Sequence, residues 1–238
     1  MESVYIYGAL GRIGQVLESY LNSENIPRVK NPRYADIIVL AVPRTAVPEL
    51  LAKHPQQQIL DMSGYCKYKS IGRYGITGWP EGATIVQNVG CFASSVIQAF
   101  KRAPFDIRDI TGGVHISMMG GASVGQIAQT PQIRLARRLW NHPHLKEIKY
   151  VFPDLNIAHF VISLNSYMPH GIWTCIMGVL PYSIASTDPI YGQTVWGTPK
   201  VSWSVHAEQQ RFVLNVALDN LHFPAYHACM LIKSKHKN

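Results

Sequence analysis

One cysteine in this sequence sits where covalent chemistry is easiest to arrange. Cys91 lies in Gln87-Asn88-Val89-Gly90-Cys91-Phe92-Ala93-Ser94, after a short apolar strand and before the helical run Ser95–Phe100. A thiol at a strand-to-helix turn faces the positive end of the helix dipole, which lowers its pKa and favours the nucleophilic thiolate. Cys66, Cys175 and Cys229 lack that setting and read as buried, inert thiols. With no CxxC pair among the 4 cysteines, free thiols in a reducing cytoplasm are expected.

A second cluster could hold a phosphate-bearing cofactor. Gly8, Gly11 and Gly14 form GxxGxxG between an apolar strand and an amphipathic helix. A pyrophosphate is stabilised by the free N–H groups and dipole of a helix N-terminus, and side chains at the crossing points would hold it away. Gly8, Leu10, Gly11, Arg12, Ile13 and Gly14 are therefore expected cofactor contacts, with Pro43 at the end of the next strand. The spacing differs from the GxGxxG of most NAD enzymes. No acidic residue closes the segment Ile26–Lys30 to hold a ribose hydroxyl; Arg28, Lys30 and Arg33 stand there instead. A positive cluster suits the 2′-phosphate of NADP, so NADP is the expected cofactor, NAD the alternative, and Arg28 a ligand.

The elements that must position these residues are legible from periodicity. Val4–Tyr7 reads as a strand, and Ile13, Val16, Leu17, Tyr20 and Leu21 recur at helical spacing after it. Asp36–Val42 is a buried strand ended by Pro43, and Thr45 is placed to cap a short helix carrying Val47, Leu50 and Leu51. Ile59–Met62 and Thr84–Gln87 are two more strands. Strands alternating with helices predict a parallel sheet. From about residue 108 the texture changes. Ile110–Met119 reads as a strand broken by Gly120-Gly121, and Ile133–Leu139 as a short basic helix. Phe160–Leu164, Ile172–Leu180, Val201–His206 and Arg211–Leu218 read as strands of an antiparallel sheet, and the segment from Phe223 onward as an apolar helix.

Bulk properties narrow the classes. In 238 residues, 47% are hydrophobic and 15% charged, which describes a packed globular chain. The N-terminus lacks a basic region followed by a long apolar stretch, and no apolar run approaches the ~20 residues of a membrane helix, so neither leader nor membrane partner is expected. The net charge of +8 raises the possibility of nucleic acid. The basic residues are scattered apart from Arg134/Arg137/Arg138 and Lys233/Lys235/Lys237, and no reader motif or aromatic array accompanies them, so no nucleic-acid partner is expected.

Five segments, in order, resemble the N-acetyl-γ-glutamyl-phosphate reductase family of the aspartate-semialdehyde dehydrogenase superfamily. They are GALGRIG (8–14), LDMSGYCK (60–67), NVGCFAS (88–94), HPHLKEI (142–148) and LDNL (218–221), and DIIVLAVPRTAVPELL (36–51) is similar to that family's strand and helix before the second of them. The resemblance covers nearly the whole chain, as a shortened, divergent member. It implies a Rossmann-like dinucleotide-binding domain formed discontinuously by residues 1–90 and 219–238. An α+β catalytic and dimerisation domain with a mainly antiparallel sheet would span 91–218.

The resemblance implies a reaction as well. Cys91 would attack an acyl phosphate, expel phosphate and form a thioester, which hydride from the nicotinamide converts to an aldehyde. The His142/His144 pair would supply the general acid/base, with His144 preferred. Asn220, Ser63 and Gly64 would lie near the nicotinamide, and Asn88, Lys67, Gly120, Gly121 and His170 near the substrate. A zinc site of Cys91, His142, His144 and His170 lacks CxxC or HExxH spacing, and no metal is expected.

The departures bear on the substrate. Val89 replaces a proline, Lys67 an arginine, and Ser117–Val124 lacks the arginine of a glycine-rich segment. His170 in Met168-Pro169-His170-Gly171 also replaces an arginine. Guanidinium groups that would clamp an anionic substrate are missing, so an acyl group other than N-acetylglutamyl is expected. Some relatives act on substrates tethered to a small acidic carrier protein, which a basic surface would steer. A homo-oligomer, dimer or tetramer, is expected from the apolar sheet of the second domain. The competing reading is a binding or regulatory protein that keeps the fold without turnover.

Overall fold

Five short strands make the first sheet: β1 (Val4–Tyr7), β2 (Ile37–Leu40), β3 (Gln58–Asp61), β4 (Arg73–Gly75) and β5 (Ile85–Asn88). The computed structural model describes residues 2–121, 133–135, 142–165, 170–187 and 195–235. The strands run parallel in the order β1-β2-β3-β5-β4. All of β2 is buried, as a central strand covered on both faces requires. Its residues divide by alternation. Ile37 and Val39 join Leu17 and Leu21 of helix α1 (Arg12–Ser23) and Ala225, Ala228 and Ile232 of the C-terminal helix. Ile38 and Leu40 pack with Val47 of α2 (Val47–Lys53) and Cys66 of α3 (Tyr65–Lys69). Each fully buried Leu or Ile contributes about 1.5–3 kcal/mol, so these two layers hold the sheet.

Beyond β1 the sheet is rudimentary. Val4 forms a single parallel bridge to Arg28, through Val4 N–H to the Pro27 carbonyl (2.9 Å) and Val29 N–H to the Val4 carbonyl (3.0 Å). The chain leaves β1 through α1 to that edge and returns to β2 on the other side. Strand order therefore reverses at β1/β2, the position at which sheets of this type open a ligand crevice.

The second sheet contains β6 (Thr111–Gly121), β7 (Ile133–Leu135), β8 (Ile157–Asn165), β9 (Ile172–Val179), β10 (Val201–Glu208) and β11 (Arg211–Leu218). Its order is β10-β11-β9-β6-β8-β7, and every pair is antiparallel except β6 with β8. Helix α4 (Cys91–Arg102) lies across β9, β10 and β11 and against α5 (Pro143–Val151). Phe92, Val96, Ile97 and Phe100 of α4 are buried, as are Ile116, Ile176, Leu214 and Val216 of the sheet. The last helix is α6 (His222–Lys235).

Three local expectations are corrected. Thr45 does not cap α2: a 3-10 turn over Arg44–Ala46 leads straight into the helix, and Ala46 occupies the cap without a side-chain bond. Gly120-Gly121 does not break the strand after Met119 but forms the last two residues of β6, held extended by its neighbours: Gly120 pairs with Leu164 and Ile172, and Gly121 with Asn165. The run from Ile133 is a strand in its first three residues, not a helix; Ile133 pairs with Asn165 and Leu135 with Ser163, and sheet pairing overrides local propensity. Arg137, Arg138, Ala122–Val124, Met168, Pro169 and Lys237 lie outside the described residues.

The chain divides into two compact units, Met1–Gly90 with Pro224–Asn238, and Cys91–Phe223. The return crossing falls at Pro224 rather than at residue 219. Asp219 is anchored in the second unit: its carboxylate accepts from Gly197 N–H (2.9 Å) and from the N–H groups of Leu221 and His222 (2.8 Å each).

Candidate active site

The glycine turn of the first unit is built for close approach. Gly8 has φ +87°, and a Cβ there would lie 2.3 Å from the Ala41 carbonyl oxygen, so the end of β1 packs on the end of β2. A Cβ on Gly14 would lie 2.2 Å from the Gly8 oxygen, which seats α1 on the turn. Gly11 differs: its Cβ would meet only the Gly8 oxygen, at 3.1 Å, and its other side is open. Gly11 is the cap of α1 and has no side chain to occupy the helix's first N–H groups; the first turn has no acidic residue. These features suit the pyrophosphate of a dinucleotide. Leu10 and Arg12 are exposed, Ile13 packs against the core, and Pro43 is exposed at the end of β2. Arg28, the expected 2′-phosphate ligand, is ion-paired with Glu18 of α1.

The loop after β3 is tied by a buried carboxylate. Asp61 Oδ1 accepts from the Ser63 hydroxyl (2.6 Å) and N–H (2.8 Å), and Oδ2 from the Cys66 N–H (2.8 Å). Ser63 in turn accepts from the Tyr65 N–H (3.0 Å), so its hydroxyl shapes the loop. Gly64 has φ +76° and lies under the guanidinium of Arg44, whose Nε donates to the Ser63 carbonyl (3.1 Å). Lys67, an expected substrate ligand, is buried in α3. Asn88, another, spends its amide on the last helix: Nδ2 donates to the Pro224 carbonyl (2.9 Å), and Oδ1 meets Nδ1 of His227 (2.6 Å).

In the second unit, Cys91 is the first residue of a 12-residue helix and is half-buried. The direction of α4 is fixed by two contacts: the Ser95 and Thr174 hydroxyls bond at 2.5 Å, and the ring of Phe105, just past the helix, packs at a tilt against that of Phe212, which pairs with Gly178. The helix thus runs with β9, and Cys91 lies toward the Gly171 end of that strand. Phe92, next to Cys91, packs edge-on against the His144 ring at 5.6 Å. His142 caps α5, its Nδ1 accepting from the His144 N–H at 3.3 Å, and the two rings stand 4.9 Å apart. His144 Nδ1 is 2.6 Å from Oε2 of Glu147, a carboxylate with 0% side-chain exposure. A carboxylate on one ring nitrogen favours the tautomer that carries its proton there.

At the Gly171 end of β9, Asn220 Oδ1 accepts from the Gly171 N–H (2.7 Å), and the Gly171 carbonyl accepts from the Gly121 N–H (2.9 Å). Asn220 thereby joins Gly171 and, through it, Gly121; His170 is exposed beside them.

No protein-family model and no curated protein matches the sequence. Solved structures do. The chain is similar to aspartate semialdehyde dehydrogenase II of Vibrio cholerae complexed with ASA, with 13% identity, a TM-score of 0.74 and cover of 100% of this chain and 99% of that one. It is also similar to a probable aspartate-semialdehyde dehydrogenase of Pseudomonas aeruginosa, with 12% identity, a TM-score of 0.77 and cover of 100% and 98%. The fold is that of the semialdehyde dehydrogenases.

Within that semialdehyde dehydrogenase fold, the thiols separate sharply. Burial, reinforced by Asp61, pushes the Cys66 thiol up to about 12. Burial likewise pushes Cys229 up to about 12, and it raises Cys175. Of the four, Cys91 alone is the first residue of a helix; Cys66 lies in the first turn of the short α3 but is buried. Glu147 was not anticipated from the sequence, although its i,i+3 spacing from His144 is the signal that would have found it, had α5 been read as a helix. Among the described residues, no group of three or more His, Cys, Asp or Glu is placed to hold a metal ion. No helix among them is long and apolar enough to cross a membrane.

Proposed function

We propose that this chain is an NADP-dependent oxidoreductase that converts an acyl phosphate to a semialdehyde through a thioester on Cys91. The observation that carries this reading is the Cys91 helix start with the His144–Glu147 pair packed, through Phe92, at the same end of α4. The Cys91 sulfur attacks the carbonyl carbon, the carbon–oxygen bond to phosphate breaks, and phosphate departs. Bound reduced nicotinamide would supply the hydride that reduces the thioester carbon. His144 then protonates the oxyanion, and as the hemithioacetal collapses it takes a proton back while the carbon–sulfur bond breaks. The aldehyde leaves and the Cys91 thiolate is restored. Positioned acid/base groups of this kind contribute typically 10²–10⁴-fold.

The residues of the glycine turn would hold the pyrophosphate, with Gly8 and Gly14 forming the tight crossing and Gly11 the open approach. The net charge of +8 supports a substrate carried by an acidic partner. The test is the reverse reaction. Aldehyde, phosphate or arsenate, and NADP are mixed with wild type or Cys91→Ser, and NADPH is followed by absorbance. Wild type is expected to turn over and the variant to be silent; turnover that survives Cys91→Ser would sink the thioester.

A second reading, a cofactor-binding or regulatory protein without turnover, is favoured by one observation. The adenosine side of the first sheet is reduced to the single Arg28 bridge, and Arg28 is engaged by Glu18. Saturable NADP binding in calorimetry with no turnover of any aldehyde would support it.

A further inference from the structure

The second unit holds a cavity of about 480 Å³ beside Gly112, at the end of β6 where Thr111 pairs with Val179. Two helices lead to it. Phe92 at the start of α4 meets the His144 ring, and Phe100 near its end meets the ring of Phe152, just past α5, at 5.4 Å. The helices therefore run side by side in one direction. Both start at the Cys91 and His144 end, and Val151 and Phe152 at the finish of α5 form part of the cavity wall. With 12 residues, α4 spans about 16 Å between its ends, so the cavity lies well away from Cys91.

Most of the wall is apolar. Ile107 and Ile110 come from the 3-10 turn before β6, and Leu155 joins Val151 and Phe152 from the other side. A volume of this size holds a small organic molecule. Among the described lining residues two are charged, with opposite signs: Arg108 and Asp154, both exposed. Arg108 is held by Asp106, which accepts from the Arg108 N–H (2.9 Å) and from Nε (3.0 and 3.1 Å), with Nη2 on the same carboxylate. That side-on pair leaves the Nη1 amino group for a second acceptor. Asp154 lies just past the C-terminus of α5, whose last carbonyls and negative dipole end add to its attraction for a cation. Three carboxylates, Asp106, Asp109 and Asp154, act on the one guanidinium. A plain anion is repelled by that balance, whereas a ligand that brings its own ammonium is favoured.

We infer that this cavity binds a free α-amino acid with a large apolar side chain. The ammonium meets Asp154 and the end of α5, the carboxylate meets Nη1 of Arg108, and the side chain lies against Ile107, Ile110, Phe152 and Leu155. The site goes beyond the reductase reading and does not depend on it.

The test is calorimetric titration of wild type, Asp154→Asn and Arg108→Gln with four probes, in the absence of cofactor and aldehyde. The probes are L-phenylalanine, L-alanine, 3-phenylpropanoate and 2-phenylethylamine. L-Phenylalanine is expected to bind wild type with a Kd of ~1 mM or tighter. L-Alanine lacks the apolar body and 3-phenylpropanoate the ammonium, and each is expected to bind at least ~10-fold more weakly. Asp154→Asn is expected to weaken L-phenylalanine and 2-phenylethylamine ~10-fold alike. Arg108→Gln is expected to weaken L-phenylalanine ~3–10-fold and to leave the amine no weaker. Both positions are exposed, and melts within about 2 °C of wild type verify that the variants fold. No binding of L-phenylalanine, equal binding of 3-phenylpropanoate, or a Kd that neither substitution moves would overturn the inference. A second measurement needs only wild type: titration with L-phenylalanine is expected to shift the backbone amide resonances of residues 107–110 and 151–156. Shifts confined to other residues overturn the inference as well. Neither measurement involves turnover, so failure here leaves the reductase reading standing, and an enzyme silent toward every aldehyde leaves this site standing.

Discussion

The Nδ1 atom of His144 lies 2.6 Å from Oε2 of Glu147, a carboxylate buried to 0% exposure one helical turn further along α5. An ionised carboxylate can only accept, which favours the tautomer that carries its proton on Nδ1. Glu147 touches no reacting atom in this scheme; it positions His144. Glu147→Gln keeps an acceptor but loses the charge and admits the wrong tautomer. It is expected to lower kcat ~10–100-fold while KM stays within about twofold, as steady-state rates of aldehyde oxidation would show. An equal rise in KM would point to a structural role alone.

Thiol reactivity offers a check that requires no substrate. Cys66 and Cys229 are pushed up to about 12 and are buried, so at pH 8 their thiolate fraction is about 10⁻⁴. Cys175 is raised in the same direction by burial. Iodoacetamide at pH 8 is expected to alkylate Cys91 first, as read by peptide mass spectrometry, and Cys66 and Cys229 only when the chain is unfolded. Because a raised pKa withholds the thiolate until the pH approaches it, raising the pH from 7 to 9 should speed labelling of Cys66 about 100-fold while leaving it slow in absolute terms. Rapid labelling of Cys66 in native protein at pH 7 would contradict the burial described.

The glycine turn separates folding from binding. A Cβ at Gly14 would sit 2.2 Å from the Gly8 oxygen, a backbone atom that cannot swing away, whereas one at Gly11 meets that oxygen at 3.1 Å and nothing else. Gly14→Ala is expected to destabilise the first unit by about 1–3 kcal/mol, a fall in Tm of roughly 5 °C. Gly11→Ala should leave Tm within about 2 °C and weaken NADP binding ~10-fold or more, because the methyl occupies the approach to the α1 N-terminus. Calorimetric titration and thermal melts of the two variants distinguish these outcomes.

What was legible in the sequence was local. The three glycines and the strand–turn–helix around Cys91 are consecutive patterns, and both occupy the turns that their spacing indicated. The side-chain pairings that the sequence did not show are those with distant partners. Asn88 bonds Pro224 and His227, 136 and 139 residues away, and Asn220 bonds Gly171, 49 residues away. No periodicity records such pairings. Ile133–Leu135 illustrates the same limit from the other side: its arginine-rich composition suits a helix, and only the presence of β8 beside it makes it a strand. Glu147 was within reach, three residues after His144, but the sequence reading assigned no helix to that segment.

Arg28 is expected to set the preference between the two nicotinamide cofactors. Its guanidinium is ion-paired with Glu18, and the two side chains keep 38% and 29% of their surface exposed. An exposed pair of this kind is worth at most about 1 kcal/mol, so breaking it barely affects folding. A 2′-phosphate competes with Glu18 for the same cation, and a hydrogen bond to a charged group contributes ~1.5–3 kcal/mol. Glu18→Gln releases Arg28 and is expected to tighten NADP ~3–10-fold with NAD unchanged. Arg28→Ala is expected to weaken NADP ~10-fold or more, again with NAD unchanged. Kd values for both cofactors on the two variants measure this directly. If both substitutions leave the NADP-to-NAD ratio where it was, Arg28 serves the Glu18 pair and the edge of the sheet, and the cofactor's adenosine end is held by other residues.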